Sequence, residues 1–141
     1  MTLEKPKKKK KTLTPAKVEK LYFNPAIRRR DGRCVTCGKV TELQSSHFIA
    51  KKSAGALRFY PPNAHAQCSG CHRYKWHNGD TIDYTDFMTE NVPELNWMKT
   101  ARKATLHYGQ GSLTIIRELC VTDRLSELTA YIYELIEAAK A

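Results

Sequence analysis

The chain has 141 residues, of which 41% are apolar, and a formal net charge of +10. A chain of this length can bury one modest core, so we expect one compact domain plus tails. No apolar run approaches the ~20 residues of a membrane span, and the lysine-rich start lacks the apolar segment of a signal peptide. We therefore expect no membrane partner and a cytoplasmic location.

The positive charge is concentrated at the N-terminus. Residues 1–33 contain 12 Lys+Arg and 3 Asp+Glu, whereas the remainder is nearly balanced. Residues 1–20 combine a lysine run with two prolines and few apolar residues, which predicts a basic disordered arm. Such an arm suits a polyanion and favours DNA as the partner; the alternative is a solubilising or localising tail.

Four of the five cysteines form two C-x-x-C pairs, Cys34/Cys37 and Cys68/Cys71. In a reducing compartment such pairs bind metal more often than they form disulfides, and two of them supply the four ligands of a tetrahedral Zn²⁺ site. The fifth, Cys120, lies in an apolar run and is predicted to be a small buried hydrophobe. The sequence thus predicts a structural zinc ion that holds two turns together.

Two strands and a helix are predicted around the cysteine pairs. Weak alternation over residues 42–48 predicts a strand that ends near His47, and residues 57–60 are a candidate second strand. The second cysteine pair is expected to open a helix that runs to about residue 77. This helix should stop at Asn78-Gly79, because glycine readily adopts the left-handed conformation that ends helices.

Residues 81–141 are predicted to form a helical extension. Short helices are expected around Tyr84 and after Pro93, followed by a break at 107–111 and two amphipathic helices. The last helix carries an apolar stripe. It is a candidate homodimer seam, although a stripe of this length more often packs on its own domain. The stripe consists of Leu125, Leu128, Ile132 and Leu135.

Together these elements predict an α+β protein in three parts. Residues 1–20 form the arm, residues 21–80 a zinc-bound core, and residues 81–141 the helical extension.

The core contains residues suited to cutting a phosphodiester. His47 at the end of a strand can act as a general base, since the pKa of histidine lies near neutrality. Asn63, on the opposing segment, is expected to fix the tautomer of His47 through a hydrogen bond to its other ring nitrogen. His72, in the first turn of the helix, can offer a ring nitrogen to a catalytic cation. The alternatives for His72 are a helix-surface residue or a substitute zinc ligand beside Cys71.

This H…N…H order within a C-x-x-C frame resembles the HNH nucleases, also called the ββα-metal or His-Me finger family. The details CG…LQSSHFI…LRFYPPN…QCSGC…N are more similar to the bacteriophage Rap/NinG recombination endonucleases, and the similarity covers about residues 24–88. The resemblance implies a ββα-metal core and a hydrolase that acts on branched DNA such as Holliday junctions and D-loops.

The resemblance also assigns roles to individual residues. It implies that His47 is the general base, that Asn63 orients it, and that His72 binds a catalytic Mg²⁺ or Mn²⁺ ion. Many HNH enzymes have a metal ligand where this chain has Ser46, so the second ligand stays open. Asn78, which matches an asparagine of the Rap/NinG pattern, and His77 are the candidates.

Basic residues close to this core in the sequence are predicted to contact DNA phosphates. They are Arg28, Arg29, Arg30, Lys51, Lys52, Arg58, Arg73 and Lys75. The sequence analysis therefore predicts a metal-dependent DNA endonuclease of phage recombination. The alternatives are a zinc-finger DNA-binding protein without catalysis and a nicking or sequence-directed HNH enzyme of a phage or mobile element.

Overall fold

The computed structural model describes residues 12–51 and 55–140. Lys52, one of the expected DNA contacts, and residues 1–11 of the expected arm lie outside these ranges. None of the helices in the described ranges has the length and apolarity that crossing a bilayer requires.

A helical segment occupies residues 15–31. It consists of α1 (Pro15–Val18), a π-helix (Glu19–Phe23) and α2 (Asn24–Asp31). The Thr14 side chain caps its start by accepting a hydrogen bond from a backbone amide, and Gly32, with φ +66°, ends it.

This segment is part of the folded protein. Val18, Phe23 and Ile27 are fully buried in the core, and Glu19 is also buried. The expected disorder of residues 1–20 is therefore wrong for residues 12–20, because helical folding collects the few apolar side chains on one face that packs against the core.

The sheet has two antiparallel strands, β1 (Leu43–His47) and β2 (Ala64–Cys68). The first strand confirms the prediction that a strand ends near His47. The register pairs His47 with Ala64 and Leu43 with Cys68. The sheet therefore carries His47 at one end and the second cysteine pair at the other.

The second strand lies later in the chain than expected. The strand predicted at residues 57–60 is wrong. Leu57 is the last residue of a 3₁₀ turn (Gly55–Leu57), and a second 3₁₀ turn (Pro61–Asn63) begins directly after Tyr60. Leu57, Phe59 and Tyr60 are buried as core side chains, and the following prolines cannot donate to a ladder. In β2 the apolar Ala64, Ala66 and Cys68 alternate with the polar His65 and Gln67, but all five residues are buried, so both faces of the strand are covered.

The second cysteine pair does open a helix. A π-helix (Gly70–Lys75) continues into a 3₁₀ turn (Trp76–Asn78), and Gly79 follows with φ +90°. The predicted helix and its stop at Asn78-Gly79 are confirmed, with the difference that the turns are wider than those of an α-helix.

The C-terminal residues form four helices, which confirms the predicted extension. These are α3 (Ile82–Asn91), α4 (Leu95–Ala101), α5 (Gln110–Val121) and α6 (Leu125–Lys140). Leu128 and Ile132 are fully buried in a core that also contains Val18 and Phe23. These two residues of the α6 stripe thus pack on their own chain, and a homodimer stays a prediction.

Candidate active site

The four cysteines of the C-x-x-C pairs lie together. The sulfur atoms of Cys34, Cys37, Cys68 and Cys71 are all within 4.8 Å of one another, and the sulfurs of Cys37 and Cys68 are 3.6 Å apart. Zinc–sulfur bonds of ~2.3 Å in tetrahedral geometry place sulfurs about 3.8 Å apart. The cluster therefore fits zinc and could bind it as a structural ion, as the sequence predicts.

The thiols of the cluster differ in acidity. Burial opposes ionisation of Cys34, but hydrogen bonds from the Thr36 side chain and from backbone amides outweigh it and lower the pKa of Cys34 to about 6. Burial raises the pKa of Cys71 to about 12. Four adjacent thiolates repel one another, so a metal that binds here must displace protons from the less acidic thiols.

A groove of about 380 Å³ lies beside the π-helix that follows the second cysteine pair. One wall is aromatic, because the Phe48 ring stacks on Trp76 with centroids 5.4 Å apart. The other walls carry three of the site residues predicted from sequence, His47, Lys51 and His72. The lining residues are Ser45, His47, Phe48, Ala50, Lys51, His72, Trp76 and His77.

His47 is held in one orientation and one tautomer. Its Nε2 lies 2.9 Å from the backbone oxygen of Arg58, and since a carbonyl oxygen can only accept, Nε2 carries the proton. The ring also stacks on Phe23, with centroids 5.9 Å apart. Nδ1 makes no hydrogen bond with any described residue, and burial lowers the pKa of His47. His47 is thus a neutral imidazole whose Nδ1 lone pair is available to accept a proton.

Asn63 does not bond to His47, contrary to the expected pairing. It is fully buried; its Oδ1 accepts from the Ile49 amide at 2.8 Å, and its Nδ2 donates to the Ile49 carbonyl at 3.0 Å. The backbone oxygen of Asn63 also accepts from the Phe48 amide. The side chain therefore fixes the loop that follows His47, while the tautomer of His47 is set by the carbonyl of Arg58.

His72 and His77 meet at the groove. Their Nε2 atoms are 3.0 Å apart, and Nδ1 of His72 donates to Oε1 of Gln44 at 2.8 Å. His72 lies in the π-helix and His77 in the 3₁₀ turn that continues it, so the two rings meet where one kind of turn passes into the other. Burial, with smaller contributions from His77 and Arg73, lowers the pKa of His72 to about 4. The Nε2 lone pair of a neutral His72 is therefore directed at His77.

This spacing fits a divalent cation. Bonds of ~2.1 Å at right angles separate two ligand nitrogens by about 3 Å. The Asn78 side chain, the other candidate second ligand, is exposed and bonds to no described residue. His77 supplies the nitrogen closest to His72, and the role of His72 as a ligand of a catalytic ion stays a prediction.

Sequence reasoning missed Glu19, a buried carboxylate next to His47. Its Oε2 accepts from Lys51 at 2.7 Å and lies 3.4 Å from Arg58 Nη2. Its Oε1 is 3.6 Å from His47 Nε2 and has no hydrogen-bond partner among the described residues. The one available signal was a single acid in the basic stretch of residues 5–30.

Several residues expected to contact DNA are engaged within the fold. Arg29 pairs with Asp123, and Arg30 donates to the backbone oxygens of Pro61 and Ala64. Lys75 lies 3.6 Å from an Asp83 oxygen. These contacts favour structural roles for the two arginines.

The remaining candidates differ in exposure. Arg58 is largely covered, with 22% of its side chain exposed. Lys51 is half exposed and lines the groove. Arg28 and Arg73 have no side-chain partner in the described ranges, and Arg73 is exposed.

The comparison with protein families gives one match. The model described as "Bacteriophage Lambda NinG protein" matches residues 2–108, more than half of the chain. No curated protein and no solved structure was found to match. The matched range includes the cysteine cluster, Glu19 and the groove, and it leaves α5 and α6 outside.

Proposed function

The chain belongs to the bacteriophage lambda NinG family, and we propose that it is a metal-dependent DNA endonuclease that acts in phage recombination. The observation that carries the proposal is the groove, in which a tautomer-fixed His47 shares one cavity with the paired nitrogens of His72 and His77. A base and a cation site facing the same space are what phosphodiester hydrolysis requires.

The proposed reaction uses His47 as the general base. Nδ1 takes a proton from a water molecule, and the water oxygen attacks the phosphorus as the bond from phosphorus to the 3′ oxygen breaks. The products are a 5′-phosphate and a 3′-hydroxyl, which takes its proton from solvent. A Mg²⁺ or Mn²⁺ ion bound by His72 and His77 would neutralise charge on the phosphate and the leaving oxygen. Two imidazole ligands favour Mn²⁺.

The fold proposed for this chemistry is the ββα-metal core of HNH nucleases. Its parts are β1, β2 and the Gly70–Lys75 π-helix. The cysteine cluster, loaded with zinc, would join the first C-x-x-C turn to the start of that helix. Zinc therefore serves as a structural ion at one end of the sheet, and catalysis takes place in the groove between the sheet and the helix.

DNA is the proposed partner. Lys51 lies at the groove, Arg73 is exposed on the π-helix, and the N-terminal 33 residues have a formal charge of +9 from 12 basic and 3 acidic residues. Such charge binds phosphates irrespective of sequence. The preference for branched DNA is supported by the family and by no geometric feature of the groove.

A cleavage assay with matched histidine variants tests the proposal. The zinc-loaded protein is incubated with a labelled four-way junction and with a linear duplex of the same arm sequence, with Mg²⁺ or Mn²⁺. We expect cleavage by the wild type, a loss of about 10²-fold or more in His47→Ala, and little change in His107→Ala, whose ring is exposed outside the groove.

The outcomes separate the candidate functions. Stronger cleavage of the junction supports structure specificity, and equal cleavage supports a nicking or sequence-directed enzyme. A zinc-loaded wild type that binds DNA tightly but cuts neither substrate with either ion would overturn the nuclease proposal and leave a zinc-dependent DNA-binding protein.

A further inference from the structure

We propose that Glu19 is a positioning residue for the general base, which it supports through the Nε2–H side of the His47 ring. This inference rests on the proposed function. Glu19 Oε1 is buried, has no hydrogen-bond partner in the described ranges, and lies 3.6 Å from His47 Nε2. The proton on Nε2 already bonds to the Arg58 carbonyl at 2.9 Å, so the carboxylate faces the same N–H from a second direction.

The charges around His47 make an anion necessary at this place. Among the residues that the structure describes, four charged or titratable groups face the ring from the elements packed around it. Lys51 and Arg58 are cations that disfavour a charged imidazole, as does His72 if it is protonated, and Glu19 is the one anion. Glu19 also holds both cations, with Oε2 2.7 Å from Lys51 Nζ and 3.4 Å from Arg58 Nη2.

The position of Glu19 matters when His47 takes up a proton. When Nδ1 takes a proton from water, His47 becomes an imidazolium in a site where only 11% of its side chain is exposed. Water can solvate little of that charge, so a fixed carboxylate beside Nε2 must do so. The proton then leaves Nδ1 to bulk solvent, which returns His47 to its neutral form.

His47 makes no direct contact with the two histidines of the proposed cation site. No hydrogen bond or ring contact joins it to His72 or His77 in the described ranges. The effect of Glu19 on His47 can therefore be measured on zinc-loaded protein without the catalytic ion, by NMR titration of the ring.

The test compares Glu19→Gln and Glu19→Asp with the wild type. Glu19→Gln keeps the size of the side chain but removes its charge, so we expect the pKa of His47 to fall in the NMR titration. We also expect kcat for cleavage to fall at least about tenfold with KM changed less than about threefold, and the acid limb of the pH–rate profile to move to lower pH. Glu19→Asp, which keeps the charge, should restore part of both.

A second variant gives a shift of opposite sign. Lys51→Met removes a half-exposed cation, so it should raise the pKa of His47 even if Glu19→Gln folds poorly. An unchanged His47 pKa in Lys51→Met, or in a folded Glu19→Gln protein, overturns this inference even if the wild type cuts DNA. A wild type that never cuts, but whose His47 pKa shifts in these two directions, overturns the proposed function and leaves the electrostatic coupling in place.

Discussion

His72 and His77 bring their Nε2 atoms to within 3.0 Å of each other although they lie five positions apart in the chain. Two such positions of a regular α-helix would point about 140° apart. Here His72 lies in the π-helix and His77 in the 3₁₀ turn that continues it, and this departure from α-helical geometry brings the two rings together. Gln44 on β1 anchors the other side of the His72 ring. The pair is therefore fixed by both the sheet and the helix.

Replacing His77 tests this pair directly. We expect His77→Ala to weaken Mn²⁺ binding to the zinc-loaded protein at least about tenfold, measured by electron paramagnetic resonance of free Mn²⁺. Asn78→Ala is the matched control and should bind as the wild type does. If Asn78→Ala loses the ion while His77→Ala keeps it, the second ligand has been assigned to the wrong residue.

Zinc content tests the cysteine cluster. The purified protein should contain one zinc ion per chain by inductively coupled plasma mass spectrometry. Cys68→Ser should lose the ion and unfold at lower denaturant concentration, because the folded cluster contributes metal-binding free energy to stability. Cys120→Ala, which changes a buried cysteine outside the cluster, should retain zinc. Equal zinc in both variants would contradict the assignment.

Asn63 should matter for stability as well as for cleavage. Asn63→Ala leaves the amide and carbonyl of Ile49 without their side-chain partner, which we expect to cost about 3 kcal/mol of the free energy of unfolding in a urea titration. Cleavage should fall too, since the loop after His47 loses its anchor. Asn91→Ala, at an exposed position on α3, should cost less than about 1 kcal/mol.

Two arginines should separate stability from DNA affinity. Arg30→Met removes hydrogen bonds to Pro61 and Ala64 and the ion pair with Asp31, so we expect a loss of about 2 kcal/mol in stability with little change in DNA affinity. Arg73→Ala should leave stability within about 0.5 kcal/mol but reduce the slope of log affinity against log salt by about one. Fluorescence anisotropy at several salt concentrations measures both affinities.

His65 should make stability depend on pH. Burial, together with the nearby Arg30 charge, lowers the pKa of His65 to about 4 from an ordinary value of 6.5. As pH falls below 6.5 the unfolded chain takes up this proton before the folded one does, so the free energy of unfolding should decrease between pH 6.5 and 4, by about 2 to 3 kcal/mol.

The same measurement on His65→Asn isolates this contribution. The Tyr84 hydroxyl donates to the Ser46 carbonyl, so His65 Nδ1–H must donate to the Tyr84 oxygen, and an asparagine amide can replace that donor without titrating. We expect a smaller pH dependence in this variant. The same slope in both proteins would show that another group is responsible.

Local patterns in the sequence were enough for the parts of the fold that rest on short-range chemistry. The spacing of the cysteine pairs, the strand that ends at His47 and the Asn78-Gly79 stop each depend on a few neighbouring residues. The two amphipathic helices predicted after the break at 107–111 likewise correspond to α5 and α6.

The sequence predictions were wrong or incomplete where contacts between distant parts of the chain determine the structure. β2 alternates apolar and polar residues, but its apolar members are two alanines and a cysteine, so the more strongly apolar run at 57–60, which fills the core, was the stronger strand candidate. Asn63 was expected to bond to His47 because it lies on the opposing segment, yet its side chain bonds to the backbone of Ile49 instead. Glu19 could not be recognised in advance, because nothing local indicates that Lys51, Arg58 and His47 converge on it.

The helix that carries Glu19 packs against α5, beyond the residues that match the family. A shortened protein that ended at residue 108 would uncover Val18 and Phe23 and release the carboxylate from its place beside the imidazole. Substitutions in α5 and α6 can therefore change the proposed catalytic rate although no residue of the groove is altered.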